Sequence, residues 1–211
     1  MDADAVKKLA VIGTIKDGIA IGIKNIGPIL VNILLWVLTV WIPYLNVGTT
    51  IGLAVGIVAK ASRGEVILKT EIFNPKYRKY MGEFFLVSGL ISIGVSIGTI
   101  FFIIPGIVIC IAWILAILLV VDKGKNPTEA LTLSNNYTYG NKWRIFWIYS
   151  IVYLVFFIAV SILGGIGYAI AEDSDGLSFL ISFIALVLVL FTAFISIGLQ
   201  ASIYKQLAGS E

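Results

Sequence analysis

The 211-residue chain contains no histidine, a single cysteine, and only 13% Asp, Glu, Lys and Arg. Without histidine there is no imidazole general base, no His-ligated metal and no imidazole switch near neutral pH. Cys110 stands alone, which excludes a disulfide framework. Scarcity of charge is the most telling absence, because soluble domains carry about 25% charged and 45–50% apolar residues. Here 59% of residues are apolar and the mean hydropathy is +1.02. A water-soluble domain of this length cannot bury so much apolar surface, so a cytosolic enzyme is excluded, as is a disordered chain. A net charge of +3 is too small for a nucleic-acid binder. What remains is an all-α, polytopic transmembrane bundle forming one integral membrane domain over 1–211.

Four stretches lack any Asp, Glu, Lys or Arg: 25–59, 84–121, 145–171 and 176–204. A spanning helix needs about 20 apolar residues. The last two stretches are each one tilted span, and the first two are long enough for two spans apiece. Each of those two carries a break near its middle, at Trp41-Ile42-Pro43-Tyr44-Leu45-Asn46-Val47-Gly48 and at Ile104-Pro105-Gly106. Proline removes an amide donor and glycine tolerates tight turns, so Pro43, Pro105 and Gly106 mark hairpin breaks. Six membrane segments in three hairpins follow, over about 26–43, 46–62, 83–103, 105–121, 143–169 and 177–204. A re-entrant reading of either of the first two hairpins keeps the same parity. Full spanning is favoured by the length of the halves and by Trp41 and Tyr44 as far-interface anchors.

With that topology all 15 Lys and Arg fall on one side. They lie in the amino-terminal segment, in the 60–79 and 123–144 connections, and at Lys205. The other side has only the acidic run Glu172-Asp173-Ser174-Asp175. The positive-inside rule then places both termini in the cytoplasm. Residues 1–24 mix Asp2, Asp4 and Asp17 among lysines and have no continuous apolar core, so no secretory signal is expected and the first helix reads as an uncleaved anchor.

Three pieces fall on the cytoplasmic side. Ile12, Ile15, Ile19, Ile23 and Ile26 form a stripe at helical spacing, which predicts an amphipathic interfacial helix over about 10–24, weakened by Gly13, Gly18 and Gly22. It serves either as a lipid-sensing element or as a lead-in packed on the bundle. Asn74-Pro75 opens a short helix whose Lys76, Arg78 and Lys79, with Tyr77 and Tyr80, are expected at the level of anionic headgroups. Asn126-Pro127-Thr128-Glu129 opens an elbow helix over about 127–138, with Glu129 completing a capping box and Gly140 closing it. Ala130, Leu131, Ser134 and Tyr137 form its membrane-facing side.

No ionisable residue is expected at membrane depth, since Glu83 and Asp122 end their segments; this disfavours proton-coupled transport. Cys110 is placed in an apolar helix, where a thiol is inert. The spans do carry small residues at helical spacing: Gly48, Gly52 and Gly56; Ser88, Ser92 and Ser96; Gly94 and Gly98; Ser161 and Gly165. Lipid supplies no hydrophobic drive between helices, so such rows set where backbones approach, within this bundle or between protomers.

The runs Ile103-Ile104-Pro105-Gly106-Ile107, Val120-Val121-Asp122, Pro127-Thr128-Glu129-Ala130-Leu131 with Ser134, and Gly140-Asn141-Lys142-Trp143-Arg144 resemble a known pattern. It is that of prokaryotic integral membrane families of unknown function, similar to the membrane domain attached to some glycerophosphodiester phosphodiesterases. In them an apolar Pro-Gly run leads to a span, a short Glu-Ala-Leu-x-x-Ser helix and a Gly-x-x-Trp opening of the next span. The likeness covers 103–146; elsewhere it rests on hydropathy. It implies a six-helix bundle of paired segments with no established activity. The sequence has no phosphodiesterase domain, so that activity does not carry over.

The function expected is a non-enzymatic scaffold or accessory subunit, homo-oligomeric or joined to a partner membrane protein, with no cofactor, no metal and no nucleic acid. The alternative is a permease or channel for a small neutral or lipid-like solute along a Ser/Thr/Gly-lined path.

Overall fold

Two helices with an angle between them open the chain. The computed structural model describes residues 8–170 and 175–209, and every regular element among these is helical. Helix α1 spans Val11–Lys24 and α2 spans Ile26–Thr39, bent 70° from it. The cause is local. Pro28 has no amide proton and its ring crowds the carbonyl four residues back, at Lys24. Asn25 takes the corner and its side-chain amide donates to the Ile21 carbonyl at 2.9 Å. At 14 residues, α2 is only about 21 Å long and cannot cross a 30 Å core alone. The first span expected at 26–43 and the interfacial helix expected at 10–24 are thus a broken pair that is apolar and long enough only when taken together.

Helix α3, Pro43–Ile51, starts with Pro43 at its first position and runs through a π turn, Gly52–Gly56, into α4, Ile57–Arg63. Gly64 closes it with φ +70°. A tucked loop follows and leads to the single-turn α5, Lys76–Lys79, then to α6, Met81–Phe101. The next reversal is at Phe102, which is fully extended. Pro105 and Gly106, expected to form the break, instead lie in the first turn of α7, Ile103–Ala112. Proline there gives up an amide that would have no intrahelical partner anyway. Gly106 packs directly against Thr99 of α6, leaving no room for a Cβ. After a break at Trp113–Leu115 comes α8, Ala116–Lys123, closed by Gly124 at φ +63°. Helix α9 is Pro127–Thr138, α10 is Lys142–Ile170 and α11 is Asp175–Leu207.

Among the described residues five helical stretches are long and apolar enough to cross a membrane, Pro43–Arg63, Met81–Phe101, Ile103–Lys123, Lys142–Ala169 and Phe179–Leu207, with the bent α1–α2 pair as a sixth. The second half of α3–α4 is the most enclosed. Ile51, Val55, Ile57, Val58, Ala59 and Ala61 are buried there against α8 and the carboxyl half of α11. Helices α10 and α11 run antiparallel, with Tyr153 beside Ser196, Phe156 beside Phe191 and Gly167 against Ile181. Toward their connection the pair is open, with Phe157, Tyr168, Phe179 and Leu186 all more than half exposed. The acidic run at Glu172, Asp173 and Ser174 lies outside the described residues.

Candidate functional site

The connection between α4 and α6 is tucked into the bundle, with Ile67, Glu71, Ile72 and Tyr77 buried. Asn32 of α2 holds it in place. Its side-chain amide donates to the carbonyls of Pro28 and Leu68, both at 2.8 Å, and its oxygen accepts the Ile72 amide at 3.0 Å. The glycine row on α3–α4 makes the room. A methyl on Gly52 would lie 2.7 Å from the Ile72 Cα, one on Gly48 would meet the Arg78 stem, and one on Gly56 would strike the Tyr77 ring. Gly48, Gly52 and Gly56 therefore receive the folded-back connection from Ile72 to Arg78, including the single-turn α5, rather than the long face of another membrane helix.

At the bottom of this tuck lies a buried carboxylate. The Glu71 side chain is 0% exposed; it takes the Lys60 ammonium at 2.7 Å and the Tyr77 hydroxyl at 2.8 Å. Burial by itself would raise the Glu71 pKa, but the hydrogen bonds from Lys60 and Tyr77 hold it below the ordinary carboxylate range. The Tyr77 phenol is pushed above its ordinary value by burial and then by the neighbouring Glu71 charge. Tyr77, expected at headgroup level, is 1% exposed and is an internal strut. Sequence reading passed over Glu71; the available signal was its setting between Thr70 and the apolar Ile72-Phe73.

A second polar group joins three helix ends. Arg63 at the end of α4 donates twice to the Asp122 carboxylate of α8, at 2.9 and 2.8 Å, and the Tyr204 hydroxyl of α11 donates to the same carboxylate at 2.9 Å. Lys123 reaches the Ala208 carbonyl at 2.7 Å. Along α1 and α11 the Gln206 amide donates to Thr14 and Ser202, while the Ser202 hydroxyl donates to Asp17. Gly18, Gly22 and Gly198 let these two backbones touch: a methyl on Gly18 would lie 2.8 Å from the Leu199 Cα, and Gly198 sits against the Gly18 carbonyl. Gly18 and Gly22 thus lie on the packing face of α1, buried with Thr14, while Gly13 is exposed and Ile12 and Ile23 of the isoleucine stripe point outward. Upstream of α1, the Leu9 amide is held by Asn141 at 2.9 Å and the Leu9 carbonyl by Arg144 at 3.2 Å.

Helix α9 serves the broken helix beside it. Its amino end is capped by Asn126, whose oxygen accepts the Thr128 amide at 3.1 Å, whereas Glu129 pairs with Lys125 at 3.0 Å. Ser134 donates to the Ala112 carbonyl at 2.7 Å and accepts the Leu115 amide at 3.1 Å, and Thr138 also reaches Ala112. The break at 113–115 is thereby satisfied by protein. Ala130 and Ser134 are fully buried, so the side of α9 expected to face lipid packs on the chain instead. Gly140 has φ +74° beyond its end.

The remaining small-residue rows divide. Gly94 faces the Trp113 ring and Gly98 faces Gly106 and Ile109, so both sit at the α6–α7 contact. Ser88 is half-buried, Ser92 and Ser96 are exposed, and so are Ser161 and Gly165; a methyl on Gly165 would meet nothing within 4 Å. Lys76, Arg78 and Lys79 are exposed, with Lys76 over the Tyr77 ring at 5.5 Å. Cys110 is exposed on α7. Among the described residues no group of three or more Cys, Asp or Glu is placed to hold a metal. No protein family, no curated protein and no solved structure matches the chain.

Proposed function

We propose that the chain is an integral protein of a prokaryotic cytoplasmic membrane, with three hairpins and both termini in the cytoplasm, acting as a non-enzymatic scaffold or accessory subunit. It assembles with further copies or with a partner membrane protein. One observation carries this reading. Gly18, Gly22, Gly52, Gly94, Gly98 and Gly198 are all consumed by contacts within the chain, whereas Ser92 and Ser96 on α6 and Ser161 and Gly165 on α10 stand open on apolar faces. Close approach at small residues is what joins helices in lipid. The cations support the orientation, because the charged ends of α4, α8 and α11 are bonded to one another and Arg144 is tied to the segment before α1. Exposed Ile12 and Ile23 on α1, and exposed Lys76, Arg78 and Lys79, support contact with an anionic bilayer surface. The likeness to the membrane domain of some glycerophosphodiester phosphodiesterases belongs to the same proposal.

Mass measurement of the detergent-extracted protein tests it. A particle heavier than one chain, reduced to one chain by Gly165→Leu or Ser96→Leu, is expected; a single chain from mild extraction, with no co-purifying protein, contradicts it. A second reading, passage of a small neutral or lipid-like solute, rests on one cavity of about 440 Å³ among α2, α3–α4, α8 and α11, where Trp36 donates to Thr50 at 2.9 Å and Ser196 and Gln200 join the wall. Solute flux in liposomes holding only this protein would favour that reading.

A further inference from the structure

A groove of about 460 Å³ runs between α7 and α10, walled by Ile104, Ile107, Ile111 and Phe146. Its mouth has a different chemistry. Lys142, Tyr139 and Trp143 stand there, and a second, more polar cleft of about 450 Å³ continues from Lys142 toward Asn135 on α9. The half-buried Lys142 ammonium donates to the Asn135 side-chain oxygen at 2.8 Å. Among the described residues no carboxylate pairs with it, whereas Lys60, Arg63, Lys125 and Lys205 each have one. The Tyr139 hydroxyl and the Trp143 indole N–H, both on exposed side chains, add two further donors at this mouth. A cluster of donors with a cation and no anion, at the head of an apolar groove of ligand size, is built to accept an amphiphile with an acidic head. We propose that this groove binds one anionic phospholipid, its phosphate at Lys142 with Tyr139 and Trp143, and an acyl chain along Ile104, Ile107 and Phe146.

The walls explain why lipid rather than a soluble anion is the occupant. Lys142 is the one charged side chain lining the groove, and most of the lining is aliphatic or aromatic. Trp143 packs edge-on against Phe146 at 5.8 Å, which fixes the rim between head and tail. The site rests on the membrane reading above but not on the scaffold role. It is also distinct from the exposed face of Lys76, Arg78 and Lys79, which do not line this groove.

Native mass spectrometry of the detergent-purified full chain, titrated with phosphatidylglycerol or phosphatidylcholine of equal chain length, tests the proposal. Wild type is expected to retain one phosphatidylglycerol with about fivefold preference, which is what one cation near an anionic head supplies. Lys142→Gln should retain both lipids equally, Ile107→Trp should retain neither, and Lys125→Gln, which removes a cation paired with Glu129, should behave as wild type. No preference in wild type, or an unchanged preference in Lys142→Gln, overturns the site. Displacement by millimolar inorganic phosphate alone would overturn the lipid occupant. A chain recovered in the aqueous fraction without detergent would overturn the membrane reading together with the site.

Discussion

Helix α11 is built differently at its two ends. From Phe194 to Tyr204 it is enclosed: Phe194, Ile195, Leu199, Ile203 and Tyr204 are 5% exposed or less, held against α1 and α4. From Leu177 to Leu190 it is more apolar still, yet Leu177, Phe179, Leu180, Phe183 and Leu190 are 42–74% exposed. Hydropathy alone would rank these regions the wrong way round. The enclosed half contains Gly198, Ser202 and Tyr204, which offer either a close approach or a hydrogen bond. The open half beyond it offers mostly Leu, Val, Ile and Phe. Greasiness does not make helices associate in lipid, because the tails are as apolar as leucine; small and polar side chains do.

The largest effect is expected at Asn32. Asn32→Ala removes three hydrogen bonds and leaves the buried Ile72 amide without its acceptor, while the Leu68 carbonyl keeps only the Glu71 amide, a loss on the order of 3 kcal/mol. Thermal unfolding in detergent measures it; a loss under about 0.5 kcal/mol would mean the tucked loop is not held from α2. Next comes Gly52→Ala, which forces a methyl against the Ile72 backbone and should cost about 1–3 kcal/mol.

Glu71→Gln ranks third, at about 1–2 kcal/mol near neutral pH, since Lys60 and Tyr77 lose a charged acceptor. Its pH dependence has a definite sign. A carboxyl whose folded pKa is depressed contributes stability that is complete above its unfolded value, about 4.3, and that is lost as pH falls through the folded value. The gap between wild type and Glu71→Gln should therefore close on acidification below about pH 4; a gap that widens there would contradict the buried pair. The smallest effect is expected in the open half. Gly165→Ala should not destabilise a single chain and should stabilise it by at most about 1 kcal/mol through helix propensity, because nothing lies within 4 Å of the new methyl.

The helical class and the presence of several helices apolar enough to span a membrane could be read from the charge-free stretches, because a lipid core admits few ways to satisfy the backbone. Local breaks were readable in principle: Pro43 opens α3, and the bend after Lys24 follows from Pro28 three residues into α2. The break at Trp113–Leu115 was not, since neither proline nor glycine lies there and its cause is Ser134, 19 residues beyond Leu115. Glycine rows were visible, but their partners were not. Spacing cannot tell whether Gly52 meets a helix or the Ile72 loop, or that Gly18 and Gly22 serve contact rather than weakness. Glu71 escaped notice because it sits outside every apolar stretch and becomes buried only when Asn32 draws its loop inward.

The central claim is that the bonded, cation-bearing end and the α10–α11 connection lie on opposite sides of a membrane. Single cysteines at Lys125 and Gly176, in a Cys110→Ser background, probed in intact cells with an impermeant maleimide, test it most directly. The account predicts that Gly176→Cys labels at once and Lys125→Cys only after the membrane is opened; labelling of both from the same side would contradict it.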